Sequence, residues 1–328
     1  MIHSHQRYGC RVAVWLGAMV LALLPALGSA QTYPLKPVRM VVPWPAGGGV
    51  DTVARTVGQK LAEALGQPFI VDNRPGATGM IGAEFVAKSA ADGYTLMVTS
   101  PPLIYTASLY PKINYDPVRD FAPISMLVMM PFYLVTHPSV PARSVKELIA
   151  LAKSKPGKLS YASSGTGSGG HLLGELLKLR AGIDMLHIPY KGTAPALADT
   201  VGGQTDLFFS DPSSVALIKS GRLRALAVTT ARRSATLPEL PTLIESGLPQ
   251  FDVWNWYPLL APAGVPGEII QRLNTEVVRI LQQREVSERL TGLGLDPSSS
   301  TPQQLAAMLK EEQARWATVI RSAGIKPE

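Results

Sequence analysis

Two glycine-rich loops hold the residues of this sequence that are best suited to binding chemistry. The first contains three successive glycines, Gly47-Gly48-Gly49, and the second reads Ser163-Ser164-Gly165-Thr166-Gly167-Ser168-Gly169-Gly170. Each loop stands between a predicted strand and a predicted helix, so bare backbone N–H groups precede a helix N-terminus. Such a corner binds anions with main-chain donors alone. A tight turn without a ligand explains an isolated loop of this kind at least as well.

The second loop adds hydroxyl groups to these main-chain donors. Its hydroxyl side chains, which can donate to a carboxylate, are Ser163, Ser164, Thr166 and Ser168. Gly165 to Gly170 also matches G-x-G-x-x-G, a pattern typical of dinucleotide sites. The acidic residue at the right distance, Asp184, precedes the next predicted strand instead of ending it, where a ribose contact belongs. We therefore reject a nucleotide cofactor and predict none.

A serine nucleophile is the alternative chemistry for the same loop. No serine in it has glycine at both −2 and +2, as a nucleophile elbow requires. His171 is adjacent in sequence, but a catalytic base must be placed in space, which a sequence does not show. An exported hydrolase that uses Ser163, Ser164 or Ser168 with His171 stays open as the competing hypothesis.

Metal and thiol chemistry are not expected. His137, His171 and His187 have no metal-type spacing. The single cysteine, Cys10, stands in the N-terminal leader, so no disulfide or thiolate site is predicted for the rest of the chain. We predict no metal site.

The N-terminus has the features of a secretory signal peptide. Arg7 and Arg11 precede an apolar run over residues 12–24, and Gly28-Ser29-Ala30 is a small-residue cleavage site. We expect export and cleavage near Ala30. The formal charge of +7 is spread along the chain and not clustered, which argues against nucleic acid as a partner.

The elements that must position the loops follow from hydrophobic periodicity. A short apolar run over residues 38–42 predicts a buried strand, and the helical spacing after it ends at Gly66. Strands and helices then alternate, which predicts an α/β fold with mostly parallel sheets flanked by helices. Residues 101–120 carry no predicted helix. With 328 residues and 46% hydrophobic content, the chain suits two domains facing each other across a ligand cleft.

Four further residues near these loops allow two interpretations each. Trp44 could stack on a ligand or pack under the loop, and Lys191 could attract an acid or be a solvated surface lysine. Asp211 could cap a helix or lie in the cleft. Asp51 suits an N-cap or first-turn carboxylate, and we expect it to hold the shape of the first loop without touching the ligand.

Motifs along almost the whole mature chain resemble one protein family. The chain is similar to the Bug family, the periplasmic solute-binding receptors of tripartite tricarboxylate transporters. The motifs that carry the resemblance are Val42-Pro43-Trp44-Pro45-Ala46-Gly47-Gly48, Asn73-Arg74-Pro75-Gly76-Ala77, Tyr161-Ala162-Ser163-Ser164-Gly165, His187-Ile188-Pro189-Tyr190-Lys191-Gly192 and Leu260-Ala261-Pro262-Ala263-Gly264.

The resemblance implies a two-lobed, type II periplasmic binding protein fold with a Venus-flytrap cleft. Lobe 1 would comprise residues 31–133 and 253–328, after the signal peptide at 1–30, and lobe 2 residues 134–252. It implies a monomeric periplasmic receptor, not an enzyme, that binds a small carboxylate and delivers it to the permease subunits of a tripartite transporter. A sensory receptor using the same cleft remains an alternative. The ligand-binding residues expected are Trp44, Ala46, Gly47, Gly48, Ser100, Ser163, Ser164, Gly165, Thr166, Gly167, Ser168, Tyr190, Lys191, Gly192, Thr193 and Asp211.

Overall fold

The protein is described by a computed structural model that covers residues 33–110 and 112–326. The predicted signal peptide lies outside these residues. The part of the chain that begins at Lys36 forms one compact unit, which contains both sheets. Within the described residues, no helix is long and apolar enough to cross a membrane.

The first sheet has six strands and carries the first glycine-rich loop. In spatial order they are β11 (Asp296–Pro297), β4 (Phe121–Pro131), β10 (Trp254–Pro262), β3 (Thr95–Val98), β1 (Val38–Val42) and β2 (Phe69–Asn73). Strand β1 pairs in parallel with β2 and β3, whereas β10 is antiparallel to both β3 and β4. The sheet is therefore mixed, and the glycine-rich loop follows its parallel part.

The second sheet has five strands and carries the second glycine-rich loop. Its spatial order is β7 (Leu186–Pro189), β6 (Ser160–Ser163), β8 (Leu207–Ser210), β5 (Tyr133–Thr136) and β9 (Arg224–Val228). Strand β6 is parallel to β7 and β8, and β5 is antiparallel to β8 and β9. The loop after β6 again leaves a parallel strand at its carboxyl end, the edge where ligands bind in α/β sheets.

Helices cover both sheets. Their bounds are α1 (Gly49–Leu65), α2 (Met80–Ala87), α3 (Pro102–Leu109), α4 (Val145–Ser154), α5 (Gly169–Ala181), α6 (Thr193–Val201), α7 (Val215–Lys219), α8 (Gly267–Leu281), α9 (Arg284–Gly292) and α10 (Pro302–Ser322). Single 3₁₀ turns precede α2 and α7. The α/β fold class predicted from the sequence is confirmed.

The chain passes between the two sheets twice. It leaves the first sheet after Pro131 and enters the second at Tyr133, and it returns between Val228 and Trp254. The predicted lobe boundaries lie next to these two passages. The assignment of residues 134–252 to a separate lobe remains a prediction.

Helix ends follow the local sequence signals. Gly66 adopts the left-handed conformation (φ 74°) and ends α1, as its position in the sequence predicts. At α10, Thr301 and Gln304 form a reciprocal capping box. The Thr242–Glu245 pair makes the same two hydrogen bonds, but only turns follow it.

One prediction of irregular structure was wrong. Residues 102–109 form α3, with Pro101 and Pro102 at its start, where a proline needs no N–H partner. The helix is held by tertiary packing, because Tyr105 is fully buried and its ring centroid lies 4.9 Å from that of Trp316 on α10. The two successive prolines suggested a break in the chain, whereas they start a helix that tertiary contacts stabilise.

Candidate functional site

The first glycine-rich loop joins β1 to α1. Gly47, Gly48 and Gly49 are exposed, and Gly48 takes the N-cap position with extended backbone (φ −79°, ψ 173°). The first-turn N–H groups of a helix have no acceptor four residues earlier. The loop therefore presents main-chain donors to solvent at the positive end of a 17-residue helix.

Asp51 ties this loop to the helix behind it. Its carboxylate accepts from Gly47 N–H and Arg55 Nε, each at 2.9 Å, and from Asn73 Nδ2 at 2.9 Å. Asn73 Nδ2 also lies 3.1 Å from the carbonyl oxygen of Trp44. Burial favours the neutral acid, but the hydrogen bonds from Arg55, Gly47 and Asn73 outweigh it and lower the pKa of Asp51.

This network changes the part that Gly47 can play. The N-cap residue is Gly48 and not Asp51, which lies in the first turn of α1 with 3% of its surface exposed. Since the Gly47 N–H points to Asp51, it is not a spare donor for a ligand. The donors of this corner come from the residues that follow Gly47.

The second glycine-rich loop joins β6 to α5. Ser168 is the N-cap and accepts from His171 N–H at 3.4 Å. Ser163 is fully buried, and its Oγ accepts from Gly165 N–H at 3.1 Å. Gly167 N–H donates to Nδ1 of His171 at 3.1 Å. The loop is thus held by internal hydrogen bonds from strand, helix and its own hydroxyls.

A histidine does approach a serine of this loop, but it is not the one considered as a base. Ser163 Oγ lies 2.7 Å from Nε2 of His187 on β7, whereas His171 Nδ1 accepts from a backbone amide. Because Ser163 has no exposed surface, a substrate carbonyl cannot reach its Oγ. The geometry does not support a serine nucleophile.

The remaining predicted ligand residues lie at strand ends around the two loops. Tyr190 donates from its hydroxyl to Asp199 at 2.8 Å, and burial followed by the Asp199 charge raises the pKa of Tyr190 to about 12. Lys191 is exposed. Asp211 caps a 3₁₀ turn by accepting from Ser213 N–H at 2.9 Å. Ser100 is buried at the end of β3.

Contacts across the two sheets bring the loops together. Thr78 Oγ1 lies 3.4 Å from the carbonyl oxygen of Thr166 in the second loop. A Cβ at the neighbouring Gly79 would lie 3.5 Å from Cζ2 of Trp44 in the first loop. One at Gly167 would come within 2.8 Å of Cδ1 of Leu109. The segment Ala77–Gly79 therefore lies between the two glycine-rich loops.

Tyr257 on β10 provides a second link. A Cβ at Gly49 would lie 3.0 Å from the Tyr257 hydroxyl, so this phenol stands at the N-terminus of α1. Burial raises the pKa of Tyr257, and the charge of Asp211 raises it further, although a hydrogen bond with Asn255 opposes the shift. The phenol is neutral and stands next to Gly49, the first residue of α1.

Two buried polar atoms at this meeting point lack a protein partner. Among the described residues, the indole Nε1 of Trp44 and the Oγ1 of Thr166 are buried without a hydrogen bond, as are Tyr105 OH and Trp256 Nε1. A buried donor without a partner costs about 1–3 kcal/mol. One such atom in each glycine-rich loop is a feature of a site that is completed by a ligand or water.

Two surface cavities lie away from the two glycine-rich loops. They are open and have volumes of about 420 and 540 Å³. In the described part of the chain, no group of three or more His, Cys, Asp or Glu side chains could hold a metal ion.

Sequence reasoning did not find four residues that shape the site. Thr78, Leu109 and Tyr257 reach it only through packing, so no local pattern points to them. Asn73 is the exception, because it stands at the end of the strand next to β1, at the same sheet edge as the first loop. A polar residue at that edge was a usable signal.

Comparison with known proteins places the chain in a family. A family model described as the tripartite tricarboxylate transporter family receptor matches residues 53–325. Protein BugT of Bordetella pertussis (strain Tohama I) is 42% identical over 301 residues, covering 91% of this chain and 92% of BugT.

Solved structures agree. The structure of R. palustris Rpa4515 with adipate has a TM-score of 0.84 and 39% identity, covering 90% of this chain and all of that one. MatC (Rpa3494) from Rhodopseudomonas palustris with bound malate has a TM-score of 0.80 and 35% identity, covering 88% of this chain and all of that one.

Proposed function

The chain belongs to the tripartite tricarboxylate transporter receptor family, and from this premise we propose that it captures a small carboxylate between its two glycine-rich loops and delivers it to a membrane permease. Family membership rests on the match over residues 53–325 and on relatives such as BugT. The relatives with known structures include one with adipate and one with malate.

One observation carries the proposal. Two loops with main-chain donors, each after a parallel strand and before a helix N-terminus, come together through Thr78 and Thr166. Each contributes a buried, unpaired donor, Trp44 Nε1 and Thr166 Oγ1. Together they form a donor-rich, acceptor-poor site, which suits a carboxylate.

Neutral donors make the main contacts to the anion in this proposal, and the one cation of the ligand set, Lys191, is exposed to solvent. Arg55 is already paired with Asp51 at 2.9 Å. Each good hydrogen bond to a charged group contributes about 1.5–3 kcal/mol. Three or four such bonds offset the cost of removing a small carboxylate from water.

Four predicted ligand residues leave the proposed set, Gly47, Ser163, Gly165 and Gly167, because their amides or hydroxyl make hydrogen bonds within the loops. Gly47 and Asp51 shape the first loop, because their hydrogen bond to each other occupies the Gly47 N–H. Tyr257 joins the site at the N-terminus of α1. The residues kept in the proposed ligand set are Trp44, Ala46, Gly48, Ser100, Ser164, Thr166, Ser168, Tyr190, Lys191, Gly192, Thr193 and Asp211.

The setting of this function is also proposed. The protein is exported, cleaved near Ala30, and acts in the periplasm as a monomeric receptor of a tripartite permease. We infer that it performs no chemistry on its ligand, since Ser163, the loop serine that lies 2.7 Å from His187, is fully buried. The hydrolase alternative would have to use the contact of Ser163 with His187, which is closed to solvent at the serine.

A thermal-shift screen tests the proposal. The purified protein is heated with mono-, di- and tricarboxylates, aliphatic and aromatic, including adipate and malate. A ligand that binds only the folded state raises the melting temperature, and calorimetry of each positive compound is expected to give one site per chain. If no carboxylate raises the melting temperature, the proposal is wrong.

A matched pair of glycine variants locates the site. Gly48→Val adds a side chain over the first loop, where the backbone (φ −79°) accepts it. A Cβ there would meet only Pro45 O, at 3.7 Å. Gly267→Val makes the same change at the start of α8, where a Cβ meets nothing within 4 Å. Binding is expected to fail in the first variant and persist in the second. Normal binding by Gly48→Val would show that the first loop is not in the site.

A further inference from the structure

Two imidazole rings, one buried and one partly buried, stack beside the second glycine-rich loop. The centroids of His171, in the first turn of α5, and His187, on β7, lie 4.0 Å apart with an interplanar angle of 11°. His171 is only 6% exposed. Both rings make hydrogen bonds to the loop itself, and these bonds suggest their role.

The His171 ring holds one amide of the loop. Its Nδ1 accepts from Gly167 N–H at 3.1 Å, which requires that nitrogen to be unprotonated. Its own backbone N–H meanwhile donates to the N-cap Ser168. His171 therefore fixes the loop from the helix side through both ring and backbone.

The His187 ring holds a second amide through a serine. Its Nε2 lies 2.7 Å from Ser163 Oγ, and this same oxygen accepts from Gly165 N–H at 3.1 Å. Gly165 and Gly167 both have positive φ, 128° and 79°, so their peptide groups have several accessible orientations. The two histidines select one orientation for each.

Hydrogen bonding indicates a neutral His171, whose Nδ1 accepts from an amide, and the surroundings keep His187 neutral. Burial, then His171 and Lys178, lower the pKa of His187 to about 3. The other charged groups on this side are paired: Lys178 Nζ lies 2.9 Å from Glu175 Oε1, which also accepts from the Tyr161 hydroxyl at 2.6 Å. Tyr161 stacks on His187, with 4.9 Å between centroids. At neutral pH the rings can accept hydrogen bonds and do not supply a cation to the cleft.

We propose that His171 and His187 are positioning residues for carboxylate binding: His171 holds the Gly167 amide directly, His187 holds the Gly165 amide through the Ser163 hydroxyl, and together they fix the loop that presents Thr166 to the ligand. The idea rests on the proposed receptor function. It removes Gly165 and Gly167 from the direct ligand donors and leaves that part to Thr166, whose Oγ1 is buried and unpaired.

Amide hydrogen exchange of Gly165 and Gly167 tests this without any ligand. The purified protein is labelled with ¹⁵N-glycine and followed by NMR at pH 7. The shape-matched variants His171→Asn and His171→Leu differ in whether an oxygen replaces Nδ1. We expect Leu to speed exchange of Gly167 at least tenfold and Asn to stay within about threefold of the native protein. His137→Leu, at a partly buried histidine bonded to Ser139, is the control and should leave both amides unchanged.

A second set of variants covers the case in which His171→Leu does not fold. Ser163→Ala removes only a hydroxyl and should speed exchange of Gly165, and His187→Gln should preserve it better than His187→Met. The proposal is overturned if both amides exchange at unprotected rates in the native protein, or if the polar and apolar variants of either histidine behave alike.

Adipate serves as the probe for binding. Wherever Gly165 or Gly167 loses protection, the affinity for adipate should fall at least tenfold, and it should be kept in His171→Asn. Loss of protection with unchanged adipate affinity would overturn the positioning role. If adipate does not bind the native protein, adipate is not its ligand. The exchange rates of Gly165 and Gly167 then still test whether the histidines hold the loop.

Discussion

Replacing Asp51 by asparagine should loosen the first ligand loop while leaving the fold intact. The carboxylate accepts three hydrogen bonds of 2.9 Å, from Gly47 N–H, Arg55 Nε and Asn73 Nδ2. Asparagine keeps the shape but has one acceptor oxygen. If that oxygen accepts from Asn73, the NH2 group of the new side chain faces the Gly47 N–H and Arg55 Nε, which are donors themselves and cannot bond to it.

The size of the effect follows from these contacts. A hydrogen bond to a charged acceptor contributes about 1.5–3 kcal/mol, and the bond from Gly47 is lost in full because Asp51 is buried. The Arg55 side chain is 53% exposed, so its ion pair adds at most about 1 kcal/mol. We therefore expect the free energy of unfolding to fall by about 2–4 kcal/mol.

Urea unfolding followed by circular dichroism measures the free energy of unfolding, and Asp72→Asn is the control variant. Asp72 also pairs with an arginine at 2.9 Å, Arg74, and more distantly with Arg39, but outside the loop and with 30% of its side chain exposed. Its loss should therefore cost about 0–1 kcal/mol. The affinity for a carboxylate found in the screen should fall at least tenfold in Asp51→Asn only. Equal destabilisation of the two variants would refute the loop-holding role of Asp51.

Three further predictions concern the second loop. Gly167→Ala should weaken carboxylate binding in calorimetry, because its Cβ would lie 2.8 Å from Leu109. Adding Leu109→Ala should recover only part of the affinity, since the positive φ of 79° remains strained for alanine. Full recovery of the affinity would contradict this prediction. Thr78→Ser should keep the carboxylate affinity and Thr78→Val should lower it a few-fold, because only a hydroxyl can donate to the Thr166 carbonyl. Equal affinities of the two variants would argue against that contact. The pKa of His187 is lowered to about 3, so its neutral form stabilises the fold above about pH 6.5 and this contribution is lost as pH falls toward 3. The free energy of unfolding, measured from pH 7 to 4, should decline by at most about 1.4 kcal/mol per pH unit from this group. The decline should be shallower in His187→Gln, and parallel curves for the two proteins would refute the prediction.

The sequence determined most of the local structure around the site. The apolar run Val38–Val42 became β1, and Gly66 ended the following helix with a positive φ. These features depend on side-chain periodicity and on the backbone freedom of glycine, which neighbouring residues alone decide. The family was also identifiable from ordered motifs in both halves of the chain, and the matching family model confirms it.

Only the tertiary structure decided which donors of the two loops are free. Asp51 and His171 each stand four residues after the glycine whose amide they accept, but the side chains that hold them in place, Asn73 beside Asp51 and His187 beside His171, come from other strands. The contact between Thr78 and Thr166 joins residues 88 apart in the chain. Such pairings depend on how two sheets and their helices pack, and no spacing within a single strand or helix encodes that geometry.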